Sequence, residues 1–159
     1  MNILITRPLV DTEDLMSKLF SLGHNIIHVP TLKISPVKLD PIDPEKYNAF
    51  VFTSANSIRS LKLTKVDKNK LCFCVGSITE KIVRRQGYNN TISAGGTVNA
   101  LKNIIINSVE LDKKKFLAYV CGDNIASDLD KELQKEGLKV EKIINYTSEK
   151  INELNEETN

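Results

Sequence analysis

A series of short segments in this chain places hydroxyl, amide or glycine residues directly after apolar runs. They are Thr6-Arg7-Pro8, Thr53-Ser54-Ala55-Asn56, Gly76-Ser77-Ile78-Thr79, Ala94-Gly95-Gly96-Thr97, Cys121-Gly122-Asp123-Asn124 and Tyr146-Thr147. Taken singly, each reads first as a helix N-cap, because Ser, Thr, Asn and Asp oxygens accept from the free N–H groups of a first helical turn. Taken together they describe a row of free backbone N–H groups, hydroxyls and positive helix ends. That chemistry receives anions, carboxylates included.

Other chemistries are disfavoured. No strand-like run is followed by Gly-x-Gly-x-x-Gly, and there is no Gly-Lys-Ser/Thr phosphate loop, so neither a dinucleotide nor a nucleoside triphosphate site is expected. Cys72 and Cys74 are two apart in an apolar run, which puts both on one face of a strand. With only Cys121, His24 and His28 elsewhere, they read as buried small hydrophobes rather than metal ligands. His24 and His28 have no Ser, Cys or carboxylate at motif spacing, and no hydrolase triad is visible. Neither a metal nor a cofactor is expected.

The elements that would carry these segments repeat as strand then helix. Asn2–Thr6 reads as a buried strand, Leu15, Leu19 and Leu22 recur at helical spacing after a cap at Asp11 or Thr12, and Gly23 closes that helix. His24–Ile34 reads as a second strand, with Pro30 marking an edge or a bulge. Pro36, Pro41 and Pro44 make residues 35–46 the best linker candidate. Beyond it the pattern predicts strands at Ala49–Thr53, Leu71–Val75, Thr91–Ser93, Phe116–Cys121 and Leu138–Tyr146. Helices are predicted at about Ser54–Leu61, Ile78–Gln86, Val98–Asn107 and Ile125–Glu136, followed by a polar tail. The fold class is therefore α/β: a flavodoxin-like, doubly wound, five-stranded parallel sheet over residues 45–142, preceded by a connector at 35–44 and followed by residues 143–159. Residues 1–34 form a separate βαβ unit, which cannot cover both faces of a two-stranded sheet alone.

Composition agrees with a packed chain. Of 159 residues, 41% are hydrophobic, enough for a core and too much for a disordered chain. The apolar runs are far short of a membrane span, the N-terminus shows no secretory pattern, and three cysteines suit a reducing cytoplasm. The net charge of +2 argues against a nucleic-acid partner, although residues 41–110 hold ten basic side chains against five acidic. That excess reads first as a solvated lysine-rich surface.

The same segments, in the same order, resemble the uroporphyrinogen-III synthase family. Ile3-Leu4-Ile5-Thr6-Arg7-Pro8 and Leu22-Gly23-His24 leading to Val29-Pro30-Thr31-Leu32 look like its opening. Phe52-Thr53-Ser54-Ala55-Asn56, Cys74-Val75-Gly76-Ser77-Ile78-Thr79, Tyr119-Val120-Cys121-Gly122-Asp123 and Ile144-Asn145-Tyr146-Thr147 continue the match. The resemblance implies a cofactor-free lyase of haem biosynthesis that cyclises hydroxymethylbilane with inversion of the terminal pyrrole ring and loss of water. It implies two flavodoxin-like domains around a cleft, the first of them discontinuous. It also implies Tyr146 as the acid that assists loss of the hydroxyl, Thr53, Ser54, Ser77 and Thr79 as receptors for the substrate's carboxylates with Arg7 as a pairing cation, and Asn56, Gly76, Gly122 and Asp123 as further substrate-binding residues.

The family's discontinuous domain would extend beyond the end of this chain, as in a truncated polypeptide. A second copy is then expected to cover residues 1–34 as a homodimer, or that segment to be poorly ordered. The alternative function is a non-catalytic flavodoxin-like binding or signalling module. A receiver-like module wants an Asp at the end of its third strand, and only Asp123 offers a carboxylate in the right kind of place.

Overall fold

Runs of β-branched and aromatic residues form the strands, and the glycines and hydroxyl residues between them form the turns. The computed structural model describes residues 1–65, 67–108, 111–112 and 114–152. The chain divides into two compact units, Met1–Ser35 with the stretch from Ser148, and Pro36–Thr147.

In the first unit, β1 (Asn2–Ile5), α1 (Glu13–Ser21) and β2 (Asn25–His28) make a βαβ motif. Its strands are parallel, with Ile3 opposite Ile26 and Leu4 opposite Ile27. Gly23 follows α1 at φ +80°, the left-handed turn that a residue without Cβ takes at no steric cost. Thr12 precedes the helix, but its hydroxyl donates back to the Pro8 carbonyl at 3.2 Å and caps nothing. The single strand expected over residues 24–34 is two strands. β2 stops at His28, and β3 (Leu32–Pro36) belongs to the other sheet. Pro30 lies between them and has no N–H with which to continue a ladder. Burial in this unit is slight among the described residues: Ile5 and Thr12 are covered, while Leu4, Leu9, Val10, Leu15, Phe20, Leu22 and Ile27 are exposed.

The second unit is built by the alternation read from the sequence. β4 (Tyr47–Phe52), α2 (Ala55–Arg59), β5 (Leu71–Cys74), α3 (Ser77–Arg85), β6 (Thr91–Ser93), α4 (Val98–Ile106), β7 (Phe116–Gly122), α5 (Leu129–Lys135) and β8 (Val140–Lys150) follow in order. The sheet order is β3-β8-β7-β4-β5-β6, and every neighbouring pair from β8 to β6 is parallel. Counted from β4, the five parallel strands run 3-2-1-4-5 and reverse direction of addition between β4 and β7, which is what winds the sheet both ways. The flavodoxin-like layering is present, with this order in place of flavodoxin's own 2-1-3-4-5.

β3 adds a sixth, antiparallel edge. The Ile151 N–H donates to the Thr31 carbonyl and the Val37 N–H to the Asn145 carbonyl, both at 2.9 Å, so one strand rises as the other falls. β8 accordingly runs on to Lys150, four residues past the end expected from its apolar pattern. Pairing partners, not side-chain polarity, set its length.

Strand alternation divides the core into two. Ala49, Val51, Phe73, Leu117, Tyr119 and Cys121 face α4 and α5, where Leu101, Ile105, Leu129 and Leu133 meet them. Phe50, Phe52, Cys72, Cys74, Ala118 and Val120 face the other way and pack on Ile58 of α2 and Val83 of α3. Cys72 and Cys74 share a face as expected, and all three cysteines are buried and free. Two helices differ from expectation. α2 is a short piece ending at Arg59, and α5 begins only at Leu129 because residues 123–128 form an irregular, bent loop. The proline-rich segment is anchored: Asp43 caps a 3-10 turn at Pro44–Lys46, and Ile42 bridges to Leu63.

Candidate functional site

The reversal of strand order between β4 and β7 leaves a crevice at their carboxyl ends, because the helices that follow them depart to opposite faces. A cavity of about 240 Å³ occupies that place. Its polar lining is Thr53 and Ser54 from the end of β4, Tyr119 and Gly122 from β7, Asn124 and Ser127 from the bends before α5, and Tyr146 from β8. Val98, Ile125 and Ala126 supply the apolar part. No charged side chain is among these lining residues.

Each lining group is held by its local structure. The Ser54 hydroxyl accepts from the Asn56 N–H at 3.2 Å and so caps α2, as its residue type predicts. Thr53 directly follows Phe52 at the end of β4, Tyr119 on the adjacent β7 directly precedes Val120, which pairs with Phe52, and the two hydroxyl oxygens lie 3.3 Å apart. Burial pushes the Tyr119 phenol up to about 12, an effect that the Thr53 hydroxyl only partly offsets. The phenol is therefore a neutral O–H donor at any physiological pH.

Tyr146 is buried opposite Gly122, where the β7–β8 register shifts. A Cβ on Gly122 would lie 2.5 Å from Tyr146 Cζ and 2.6 Å from Cε2. The tyrosine ring occupies the space that any other residue at 122 would fill. The neighbouring backbone keeps the pairing, with the Asp123 N–H donating to the Tyr146 carbonyl at 3.1 Å.

Of the residues singled out from the sequence, Thr53, Ser54, Gly122 and Tyr146 come together on this cavity. Asn56 lies buried behind it, and its side-chain oxygen accepts from Arg59 at 2.9 Å. Asp123 is exposed beside the cavity, and its carboxylate accepts from the Asn124 N–H. Gly76, Ser77 and Thr79 begin α3 and do not line it. Ser77 instead opens a groove of about 430 Å³ along that helix with Glu80, Lys81, Arg84 and Arg85. Gly76 approaches the next loop closely, since a Cβ there would meet Gly96 Cα at 3.3 Å. Arg7 is an exposed residue of the other unit, and its carbonyl is hydrogen-bonded to the His28 ring at 2.9 Å.

Tyr119 was not among the expected site residues. The available signal was alternation, since Leu117, Tyr119 and Cys121 share a face and the tyrosine alone carries a hydroxyl. Asn124 stands in the strand-end segment Cys121–Asn124 but was not singled out, and Ile125 and Ser127 were missed because they read as helix. Among the described residues no cluster of three or more His, Cys, Asp or Glu forms a candidate metal site, and no helix is long and apolar enough to cross a membrane.

A doubly wound α/β unit with a hydroxyl-lined cavity at its strand reversal puts this chain in the class of open-sheet α/β proteins, the class in which ligand crevices lie at such reversals. The particular family follows from comparison. The model of the uroporphyrinogen-III synthase HemD family matches residues 13–159, and the chain belongs to that family.

Solved structures agree on the fold. Uroporphyrinogen-III synthetase from Helicobacter pylori is 20% identical, with 82% of this chain and 59% of that one covered and a TM-score of 0.57. A mutant uroporphyrinogen III synthase from the extremely thermophilic bacterium Thermus thermophilus is 15% identical, with 95% and 64% covered and a TM-score of 0.60. The wild-type Thermus enzyme in another crystal form is 14% identical, with 95% and 63% covered and a TM-score of 0.52. The chain thus spans less than two thirds of the length of these structures. No curated protein matches it.

Proposed function

We propose that this chain acts as a uroporphyrinogen-III synthase, a lyase that cyclises hydroxymethylbilane with inversion of the terminal pyrrole and loss of water. What supports this reading is the convergence of Thr53, Ser54, Gly122 and Tyr146 on one cavity in a member of the synthase family. The cavity, about 240 Å³, is below the roughly 300–1,000 Å³ of a site that encloses a whole small ligand. It suits a single pyrrole ring or one of its arms, with the rest of the substrate outside.

Tyr146 is proposed as the acid whose phenol protonates the departing hydroxyl, so that water leaves. The Thr53 and Ser54 hydroxyls and the Gly122 backbone receive carboxylate arms. Ser77 and Thr79 are proposed as further carboxylate receptors and Asn56, Gly76 and Asp123 as further substrate-binding positions, while Arg7, an exposed cation, is proposed to pair with a carboxylate. No cofactor enters the proposal. Ring closure depends instead on holding the two ends of one molecule together.

We further propose that the exposed apolar side chains of the first unit, Phe20 and Leu22 foremost, are covered by a second copy of the chain. Light scattering that finds only monomers across a concentration series would refute this. A cytoplasmic location is proposed as well, where the buried free thiols stay reduced.

Activity is tested by coupling the chain to enzymatic hydroxymethylbilane synthesis and separating the uroporphyrin isomers after oxidation. Isomer III above the enzyme-free control is expected. Isomer I alone would refute the proposal. Tyr146→Phe should lower isomer III formation by about 10²-fold or more while leaving the circular dichroism spectrum intact.

A further inference from the structure

The Tyr119 hydroxyl is buried and lies 3.3 Å from the hydroxyl of Thr53, across the β4–β7 boundary. Both residues line the Tyr146 cavity. A neutral phenol has one proton to give. If it goes to Thr53 Oγ1, the Thr53 proton is released from that contact and points to whatever acceptor fills the cavity. No lining side chain carries a positive charge, so hydroxyl and amide donors must bind any anion that enters.

From this geometry we propose that Tyr119 is a positioning residue for substrate carboxylate binding. It donates to Thr53 Oγ1 and so orients and polarises the Thr53 hydroxyl that holds a carboxylate of the tetrapyrrole. This deepens the synthase reading and rests on it. The role is separate from that of Tyr146, which acts at the leaving hydroxyl. The chain Tyr119 O–H to Thr53 O–H to carboxylate strengthens each link, because a donor that is itself accepting is a better donor. Thr53 takes the direct, charge-assisted bond, so its loss is the larger effect. Tyr119 acts one bond away and carries a smaller share.

Uroporphyrin III, the stable oxidised macrocycle, serves as the probe, with binding followed by its fluorescence. Tyr119→Phe keeps the ring and removes one oxygen, and about a three- to tenfold rise in Kd is expected. Thr53→Val, or Thr53→Ala should valine disturb the strand end, is expected to weaken binding at least as much, and Thr53→Ser should stay close to wild type. In the double variant, Tyr119→Phe should add nothing to the loss at Thr53, since its effect passes through that hydroxyl. In turnover, Tyr119→Phe should raise KM and leave kcat unchanged, as expected for binding shared by ground and transition states.

Additive effects of the two substitutions, unchanged affinity in Tyr119→Phe, or a loss confined to kcat would overturn the inference while leaving the synthase reading in place. A wild-type chain that neither binds the porphyrin nor makes isomer III would instead remove that reading, and this inference with it.

Discussion

Gly122→Ala tests the tightest contact in the site. The added methyl would sit 2.5, 2.6 and 2.9 Å from Tyr146 Cζ, Cε2 and Oη. Carbon atoms in ordinary contact keep about 3.5–4.0 Å, so the ring must retreat by about 1 Å or more. Tyr146 is only 8% exposed, which leaves it little room to do so. Overpacking of this kind costs about 1–3 kcal/mol, which in a chain of this size lowers Tm by roughly 2–12 °C.

Thermal unfolding followed by far- and near-ultraviolet circular dichroism measures that cost. The same alanine introduced beside Tyr146→Leu, which lacks the Cε2, Cζ and Oη atoms, should cost close to nothing. A wild-type Tm in Gly122→Ala, or a penalty that persists in the Tyr146→Leu background, would refute the idea that glycine is required to seat the tyrosine. If Tyr146 is the acid, the same displacement should reduce isomer III formation by about 10²-fold, the usual consequence of a 1 Å misplacement.

Other outcomes follow from burial and charge. Asn145→Ala removes a buried donor that reaches the Ser57 carbonyl at 2.7 Å, and urea unfolding should show a loss of about 1–3 kcal/mol. Burial raises the thiols of Cys74 to about 12 and Cys121 to about 11, and pushes Cys72 up as well. All three should resist a thiol reagent at pH 8 until urea unfolds the chain, and rapid labelling of the native protein would contradict this. Glu80 is held below the ordinary carboxylate value by the Thr91 hydroxyl and then by Arg84. A lowered value in the fold means its stabilising share is present above the ordinary glutamate range and is lost as pH falls through the lowered one. Glu80→Gln should therefore flatten the acid side of a Tm-against-pH profile and lower Tm near neutrality.

The βαβ order, the two-faced sheet and the ends of β4 to β7 were legible because each rests on local rules. Unbroken apolar runs at Leu71–Cys74 and Phe116–Cys121 mark buried strands, and Gly23, Gly87 and Gly137 mark helix ends at positive φ. Caps are equally local, and Ser54 and Thr97 both accept the expected N–H bonds. The separation of β2 from β3 around Pro30 was signalled by the proline, yet which sheet each joins is a matter of partners distant in sequence.

Residue types and spacing by themselves determined that Thr53, Ser54, Gly122 and Tyr146 lie toward the carboxyl ends of strands on one edge, since strand direction in a parallel sheet follows from the helices between them. Tertiary structure alone decided which of those ends meet. Strand order brings β4 beside β7 and β7 beside β8, and so gathers these four around a cavity while Gly76, Ser77 and Thr79 start a helix away from it. The same order sets Tyr119 against Thr53 and lays the Tyr146 ring over Gly122. Contacts of that kind depend on lateral register between chain segments far apart in sequence, and no local propensity encodes it.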